Sequence, residues 1–337
     1  MSKLLDDEVA KVNQLVDAED KFPYILWKRG KDNNWNPTNI NMENDIKQWK
    51  ADDILSEDER LLVKRLLGFF SVGESLVNNN LMTAIPRFLT DGACRQYLSR
   101  QIFEEGLHNS TMEVCCEAYG LDKNEVANAY KNIPTIKAKT EYMMKVTSNL
   151  NRRDFDISTI EGKREFFRNL FVFYIVCEGM YFYSGFAMAM ALGRQNKMTG
   201  LCDQVRYTLR DETTHIEFGV YVLNRAVREY PEVFTSEFIQ ELVDVMKEAV
   251  NLEIAYAQDA LPNGILGLNA EMFIYYLQFI GNRQLEKLEN FKVTYRFPSD
   301  KNPFPWLSET MDLQAMGAFF ERHERSYQEA GALEDDL

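Results

Sequence analysis

The chain has 337 residues, 45% of them hydrophobic, and a formal net charge of −14 at pH 7. Such an acidic surface repels a phosphate backbone, which argues against nucleic acid as a partner. The length exceeds the size at which a single core usually stops growing, but a large helical bundle can remain one domain. Proline and glycine are sparse and no low-complexity linker divides the chain, so one main domain is expected.

The N-terminal stretch and the cysteines both point to a reducing compartment. Residues 1–20 are acidic and lack an apolar signal region, so we expect a cytoplasmic protein. The five cysteines show no C-x-x-C spacing, which favours reduced core residues over a disulfide framework or a metal site. They are Cys94, Cys115, Cys116, Cys177 and Cys202.

The first strong helix signal is Ser56-Glu-Asp-Glu59, a capping box in which a serine and a glutamate satisfy each other's backbone donors. The apolar periodicity that follows predicts a long helix running towards Pro86. Glu74 therefore lies well inside this helix.

The next predicted helix starts near Asp91 and ends at Gly120, a residue suited to the left-handed position after a helix. It carries Glu105 three residues before His108. Positions i and i+3 project from the same helix face, so the pair offers a carboxylate oxygen and an imidazole nitrogen to a common point.

A third helix is predicted from a second capping box, Ser158-Thr-Ile-Glu161, to about Gly193. Between residues 170 and 192 its only charged residue is Glu178, so by length alone it would satisfy the criterion for a membrane span. A lone glutamate at the middle argues against lipid. An apolar helix also suits the centre of a soluble bundle, where an isolated carboxylate needs a cation.

The fourth predicted helix runs from about Gly200 to Tyr230, before Pro231. It repeats the Glu-x-x-His spacing at Glu212 and His215, in a chain with only three histidines. A second pair of this kind suits a second metal ion.

Two further helices, over residues 236–259 and 269–290, are expected to buttress these four, and little extended structure is predicted. The predicted fold class is all-α: a ferritin-like dimetal-carboxylate bundle enlarged by additional helices.

A carboxylate-bridged pair of iron or manganese ions needs two Glu-x-x-His pairs and one further carboxylate from each of two other helices. The alternative is coincidence, since glutamate is common here and such pairs also occur as ordinary polar contacts on helices. Four carboxylates and two divalent ions would form a neutral cluster; without metal the glutamates would repel one another and should take up protons. The predicted ligands are Glu74, Glu105, His108, Glu178, Glu212 and His215.

These residues resemble the radical-generating small subunit of class I ribonucleotide reductase, over nearly the whole chain from Trp35 onwards. The resemblance implies a homodimer whose dimetal centre reacts with an oxygen species and stores an oxidant. That oxidant passes to a cysteine of a large subunit, which reduces ribonucleotides, so the chain would be active only with that partner. The segments most similar to the chlamydial type are Leu67-Gly-Phe-Phe-Ser71 leading to Glu74, Tyr183-Ser-Gly-Phe186, Leu209-Arg-Asp-Glu-Thr-Thr-His215, Gly264-Ile-Leu-Gly267 and Asn302-Pro-Phe-Pro-Trp306.

Two positions depart from the commonest pattern of that family. Its first ligand is usually aspartate, whereas here it is Glu74, and its radical tyrosine is replaced by Met112. A thioether has no phenolic proton to lose, so the oxidising equivalent is expected to remain on the metals. This combination favours a manganese/iron pair. The chlamydial type carries phenylalanine at the second position, so methionine leaves dimanganese open, and di-iron is a further alternative; Met112 could also simply fill the core.

The resemblance also implies a route for the oxidant. Trp35 would connect through Asp211 to His108, Tyr207 would be an additional aromatic station, and Tyr327 would hand the oxidant to the large subunit. Without the resemblance most of these aromatic residues would be taken as packing residues. Tyr327 is the exception, because it lies in a polar terminal segment where packing explains it least.

The C-terminus ends in Glu334-Asp-Asp-Leu337, which suits a peptide that becomes ordered in a groove of the large subunit, although frayed termini are common. We expect an N-terminal segment over residues 1–30, a bundle domain over 31–310 and a docking tail over 311–337. The third histidine, His323, lies outside the ligand helices and is expected to be exposed to solvent.

Three other functions share this bundle. An acyl-carrier-protein desaturase or a ligand-binding oxidase has the same paired ligands but needs no exit path for an oxidant. Iron-storage chains are much shorter and form cages. No Walker motif or glycine-rich phosphate loop occurs, consistent with nucleotide sites on a partner. The metals, the activating oxidant, any activating flavoprotein and the choice between di- and triphosphate substrates stay open.

Overall fold

The structure is a computed structural model that describes residues 3–5, 21–291 and 295–309. Within these ranges it contains helices and loops, with an isolated bridge between Ile265 and Leu268 as its only β-type pairing. The chain divides into a large unit, Met1–Lys301, and a short unit, Asn302–Leu337. The all-α prediction is confirmed.

The large unit is built from helices of very different lengths. A 3-10 turn, Pro37–Asn39, lies between the first two helices, Phe22–Asp32 and Glu43–Lys50, and a π-helical segment, Phe171–Tyr181, joins the helix Ile160–Leu170 to the helix Phe182–Gly193. The α-helices are α1 (Phe22–Asp32), α2 (Glu43–Lys50), α3 (Glu57–Thr83), α4 (Ile85–Phe88), α5 (Gly92–Tyr119), α6 (Lys123–Ala127), α7 (Ala129–Asn132), α8 (Pro134–Val146), α9 (Ile160–Leu170), α10 (Phe182–Gly193), α11 (Thr199–Glu229), α12 (Ser236–Ala260) and α13 (Ala270–Glu286).

The local signals at the start of α3 and at both ends of α5 act as predicted. The hydroxyl of Ser56 accepts from the backbone N–H of Glu59, and the Glu59 carboxylate accepts from the N–H of Ser56. Asp91 caps α5, and Gly120 ends it with a positive φ of 65°. A side chain at such a backbone angle would be strained, which explains a glycine there.

Three predicted helix ends are wrong. The cap of α9 is Thr159, not Ser158, because the N–H and hydroxyl of Ser158 are both bonded to Asp156. The helix carrying Glu74 ends at Thr83, and Pro86 lies in the first turn of the separate short helix α4, because inside a continuous helix a proline has no N–H to donate and its ring clashes with the carbonyl four residues earlier. The last helix ends at Glu286, before Asn290, which has a φ of 69°.

The long apolar helix Ile160–Gly193 lies at the centre of the bundle. Its length and composition would allow it to cross a membrane, but its apolar stretch is wholly buried inside the fold. Its middle, Phe171–Tyr181, is π-helical, a conformation that the sequence did not predict. Such segments interrupt α-helices frequently at functional sites, and this one carries Glu178.

Candidate metal centre

Six fully buried side chains from four helical segments converge at the centre of the bundle. The segments are α3, α5, the π-helical segment and α11, as the helix pattern predicted. α5 and α11 each contribute one Glu-x-x-His pair, and the other two contribute one carboxylate each. The side chains are those of Glu74, Glu105, His108, Glu178, Glu212 and His215.

Their potential ligand atoms form two overlapping groups, each with all its atoms within 4.8 Å of one another. One group contains Glu74 and His108, the other contains Glu178 and His215, and both contain Glu105 and Glu212. The Oε1 and Oε2 atoms of Glu212 lie 3.1 Å from His108 Nδ1 and 3.3 Å from His215 Nδ1, respectively. Glu105 likewise directs one oxygen to each histidine, at 3.5 and 3.2 Å. Two carboxylates that each face both groups have the arrangement of bridging ligands.

The potential ligand atoms of these six residues suit a pair of metal ions, because most of them have no hydrogen-bond partner in the protein. Both carboxylate oxygens of Glu74, Glu105 and Glu212 are buried without a hydrogen-bond partner. The same holds for Glu178 Oε2 and for Nδ1 of His108 and His215. Unsatisfied buried polar atoms are costly, and a set of oxygen and imidazole donors suits iron or manganese. That these six residues bind two ions is supported by this geometry and stays a prediction.

The outer nitrogen of each histidine faces a second carboxylate. Glu104 Oε2 lies 2.9 Å from His215 Nε2, and Asp211 Oδ2 lies 3.4 Å from His108 Nε2. A carboxylate at Nε2 favours the tautomer with its proton there, which leaves the Nδ1 lone pair directed at the centre. Glu104 directly precedes Glu105 in the sequence, and its contact with His215 was not predicted.

Without metal, protons are distributed unevenly over this cluster. Burial raises the pKa values of Glu74 and Glu178 well above their usual range. Burial would lower the pKa values of His108 and His215, but nearby carboxylates raise both. Burial would also raise the pKa of Glu105, but the two histidines whose Nδ1 atoms lie close to its oxygens lower it instead. The expected uptake of protons by the glutamates therefore holds for Glu74 and Glu178 and is wrong for Glu105.

Removal of metal should destabilise the protein, because repulsion and unsatisfied donors then remain in the core. At a free metal concentration 100 times the dissociation constant, binding contributes about 2.7 kcal/mol to the free energy of unfolding. Calorimetry before and after chelation should show a lower thermal midpoint for the metal-free protein, restored by adding Mn(II) or Fe(II) without oxygen. Equal midpoints in the two states would contradict a buried metal site.

A hydrogen-bonded pair behind Glu178 was not predicted from the sequence. The side-chain amide of Gln101 donates to Glu178 Oε1 over 3.1 Å, and Tyr174 OH donates to Gln101 Oε1 over 2.9 Å. The ring of Tyr174 packs against Gly219 of α11. Only a glycine leaves room for it, because a Cβ atom at residue 219 would lie 2.2 Å from Tyr174 Cγ. The available signal was that Gln101 lies one helical turn before Glu105.

Three of the predicted transfer residues contact one another in series from the metal centre to the surface: Asp211, Trp35 and Tyr207. Trp35 Nε1 donates to Asp211 Oδ2 over 2.7 Å, and that oxygen also faces His108. The Trp35 ring is stacked on Tyr207, with centroids 5.1 Å apart and planes 15° apart. Tyr207 is 38% exposed, so the series ends at solvent.

The remaining predicted positions are Met112, the cysteines and the C-terminal residues. Met112 is buried on α5, one turn after His108, which is compatible both with a core-filling role and with its place in the family pattern. The five cysteines are all buried thiols, in agreement with their predicted reduced state. Tyr327, His323 and the proposed docking tail lie outside the described residues.

This bundle and its paired Glu-x-x-His helices define the ferritin-like dimetal-carboxylate class. Within that class, the family model described as "Ribonucleotide reductase, small chain" matches residues 12–303. The chain is 47% identical to the ribonucleoside-diphosphate reductase subunit beta of Chlamydia pneumoniae over 322 residues, covering 96% of this chain and 92% of the relative. The chain therefore belongs to the ribonucleotide reductase small-chain family.

Solved structures agree with this assignment of the fold. The R2 subunit of ribonucleotide reductase from Clostridium botulinum aligns with a TM-score of 0.81 and 22% identity, covering 92% of this chain and 94% of that one. An R2-like ligand-binding oxidase with a reconstituted Mn/Fe cofactor aligns with a TM-score of 0.68 and 21% identity, covering 84% and 99%. The ferritin-like prediction is confirmed, but the fold alone does not separate a reductase subunit from an oxidase.

Proposed function

We propose that the chain is the small subunit of a ribonucleoside-diphosphate reductase. It would hold a dinuclear metal centre that stores an oxidising equivalent, which a large subunit uses through a catalytic cysteine to reduce ribonucleotides. Family membership and the similarity to the Chlamydia pneumoniae subunit support this function. The observation that carries it is the series His108, Asp211, Trp35 and Tyr207, which joins the buried centre to the surface.

The protein's own residues would hold the metals and keep water away from them. When bound, the two ions would supply the redox chemistry with an oxygen species. Glu74 and His108 would hold one ion and Glu178 and His215 the other, with Glu105 and Glu212 available to both, and the apolar helix Ile160–Gly193 would shield the centre from solvent. Trp35 would be the oxidisable ring on the route, and Asp211, which accepts a hydrogen bond from its Nε1, would orient that ring.

Met112 and Glu74 support a proposal for the metal pair. No phenol is available at the position of the family's radical tyrosine, so the oxidising equivalent would stay on the metals. We infer a manganese/iron pair, with dimanganese and di-iron as alternatives. Elemental analysis and electron paramagnetic resonance on protein from its native host would distinguish the three.

The proposed assembly is a cytoplasmic homodimer that binds the large subunit through residues 311–337. A ligand-binding oxidase is the main rival, because a protein of that kind shares the fold. The contact of Trp35 with both Asp211 and an exposed tyrosine favours the reductase, since an oxidase needs no path by which an oxidant leaves. The acyl-carrier-protein desaturase is disfavoured for the same reason.

The test is reconstitution with a reductase large subunit. Metal-loaded protein should associate with it and support nucleotide reduction, whereas either subunit alone should not. Tyr327→Phe should remove turnover and leave metal content unchanged, because phenylalanine cannot form a phenoxyl radical. Retained reduction by this variant would refute its role in transfer, and failure of the wild type to associate would favour the oxidase.

A further inference from the structure

The two histidines of the centre are supported by carboxylates in a crossed arrangement. Glu104 lies on α5 and faces His215 of α11, whereas Asp211 lies on α11 and faces His108 of α5. Each of these acidic residues directly precedes the glutamate of its own helix's Glu-x-x-His pair. Although the positions correspond, the surroundings of the two carboxylates differ.

Glu104 is held in a tight, charge-compensated contact. It is 1% exposed, and Arg100 Nε, one turn earlier on α5, donates to its Oε1 over 2.8 Å. The same guanidinium donates to Asn34 Oδ1 over 3.0 Å. Helix α1 covers the pair at Gly30, where a Cβ atom would lie 2.8 Å from Glu104 Oε1 and 2.9 Å from Arg100 Cγ. The absence of a side chain at residue 30 therefore allows this contact.

Asp211 has a different set of partners. Its Oδ2 accepts from Trp35 Nε1, and the nearest guanidinium, that of Arg210, lies 3.6 Å from its Oδ1. In the part of the chain that the structure describes, no tryptophan or tyrosine donates to Glu104. Only one of the two histidines is thus hydrogen-bonded through a carboxylate to an oxidisable aromatic ring.

We propose that Glu104, fixed by Arg100 beneath Gly30, is the positioning residue for the metal position at His215 and makes that position unequal to the one at His108. Its carboxylate holds His215 Nε2, so that Nδ1 points at the centre. Arg100 compensates the charge that a further carboxylate would add to a core with four other glutamates. The inference rests on the proposed function, because it needs a chain that binds two ions.

The test is Glu104→Gln, which keeps the shape of the side chain and removes its charge. Loss of such an outer carboxylate weakens metal binding by about 10- to 100-fold. In anaerobic Mn(II) titrations we expect the variant to retain one tight ion and lose affinity for the other by that factor. At Mn(II) concentrations that fill the wild type, electron paramagnetic resonance should show an isolated Mn(II) ion in the variant and a coupled pair in the wild type.

The matched control is Glu113→Gln, the same change on the same helix at an exposed position that pairs with Lys123. It should bind two ions like the wild type. A second variant, Gly30→Ala, should displace the Arg100–Glu104 contact and weaken the same ion to a smaller degree. Alanine forms helices better than glycine, so α1 should remain folded.

These measurements distinguish a failure of the proposed role of Glu104 from a failure of the proposed dinuclear site. If wild-type protein binds fewer than two Mn(II) ions, the dinuclear site itself is wrong. If the wild type binds two ions and Glu104→Gln binds both with unchanged affinity and a coupled spectrum, Glu104 does not position His215. Equal weakening of both ions would also overturn the proposal, because the two positions would then not be distinguished by this contact.

Discussion

Replacing Trp35 with phenylalanine should reduce nucleotide reduction by the two-subunit complex to background, while the metal centre still assembles. Phenylalanine can fill most of the space that the indole leaves, but it has no N–H to donate to Asp211 and is far harder to oxidise. The step between the centre and the surface would then lack its redox-active ring. The measurements are deoxynucleotide formation with the large subunit and metal content per chain.

Trp27→Phe is the control for this variant. Trp27 lies on α1 and is stacked on Tyr24 with centroids 5.5 Å apart, in no hydrogen bond with the metal-centre carboxylates. It should keep activity close to that of the wild type. Full activity of Trp35→Phe would exclude the route, and a loss of metal in proportion to activity would indicate that Trp35 only supports Asp211.

The main features of the site were predictable because they depend on local spacing. A glutamate three residues before a histidine lies on one helix face wherever the helix forms, so Glu105 with His108 and Glu212 with His215 were found from sequence. The start of α3 and both ends of α5 were found for the same reason, since Ser56, Asp91 and Gly120 act on backbone groups of neighbouring residues.

Contacts between distant parts of the chain were not predictable in this way. The approach of Glu104 to His215 depends on how α5 packs against α11, and Gly30 matters only because α1 covers that point. Nothing local in the sequence distinguishes Glu104 from any other glutamate next to a ligand. Its role emerges only when the helices are assembled.

The π-helical segment was missed for a different reason. Helical periodicity is read from the alternation of apolar and polar faces, and Phe171–Tyr181 is buried on all sides. A change from α to π register leaves no trace in such a uniformly apolar stretch. Glu178 was nevertheless found, because a single charge in an apolar helix is conspicuous in any register.

Lys139→Met should lower the free energy of unfolding by about 3–5 kcal/mol, because it leaves a buried carboxylate without its cation. Lys139 on α8 is fully buried and forms an ion pair with Glu253 on α12, which also accepts from Ser184. Its ammonium lies 3.3 Å from the ring centroid of Phe69 and is also close to the rings of Tyr181 and Tyr256. Burial lowers the pKa of Lys139 to about 8. Chemical denaturation of the metal-loaded protein would measure the loss.

The decrease in the free energy of unfolding caused by Lys139→Met should depend on pH. Burial already raises the pKa of Glu253, and without Lys139 the charge that opposes this effect is gone. The folded variant then holds a proton on Glu253 more tightly than the unfolded chain does, so its stability decreases as the pH rises above the unfolded value of about 4.3. The difference from the wild type should therefore be smaller at pH 5 than at pH 8.

Two further variants distinguish a buried ion pair from simple loss of a lysine. Lys123→Met removes a half-exposed lysine that pairs with Glu113 and Glu117, and solvent screening should make its effect small. Lys139→Met combined with Glu253→Met should recover much of the lost stability, because no unpaired charge then remains among the rings. The prediction would be wrong if Lys139→Met were as stable as Lys123→Met. It would also be wrong if the variant with both Lys139→Met and Glu253→Met were no more stable than Lys139→Met alone. Either result would show that the Lys139–Glu253 contact does not control the stability of this part of the core.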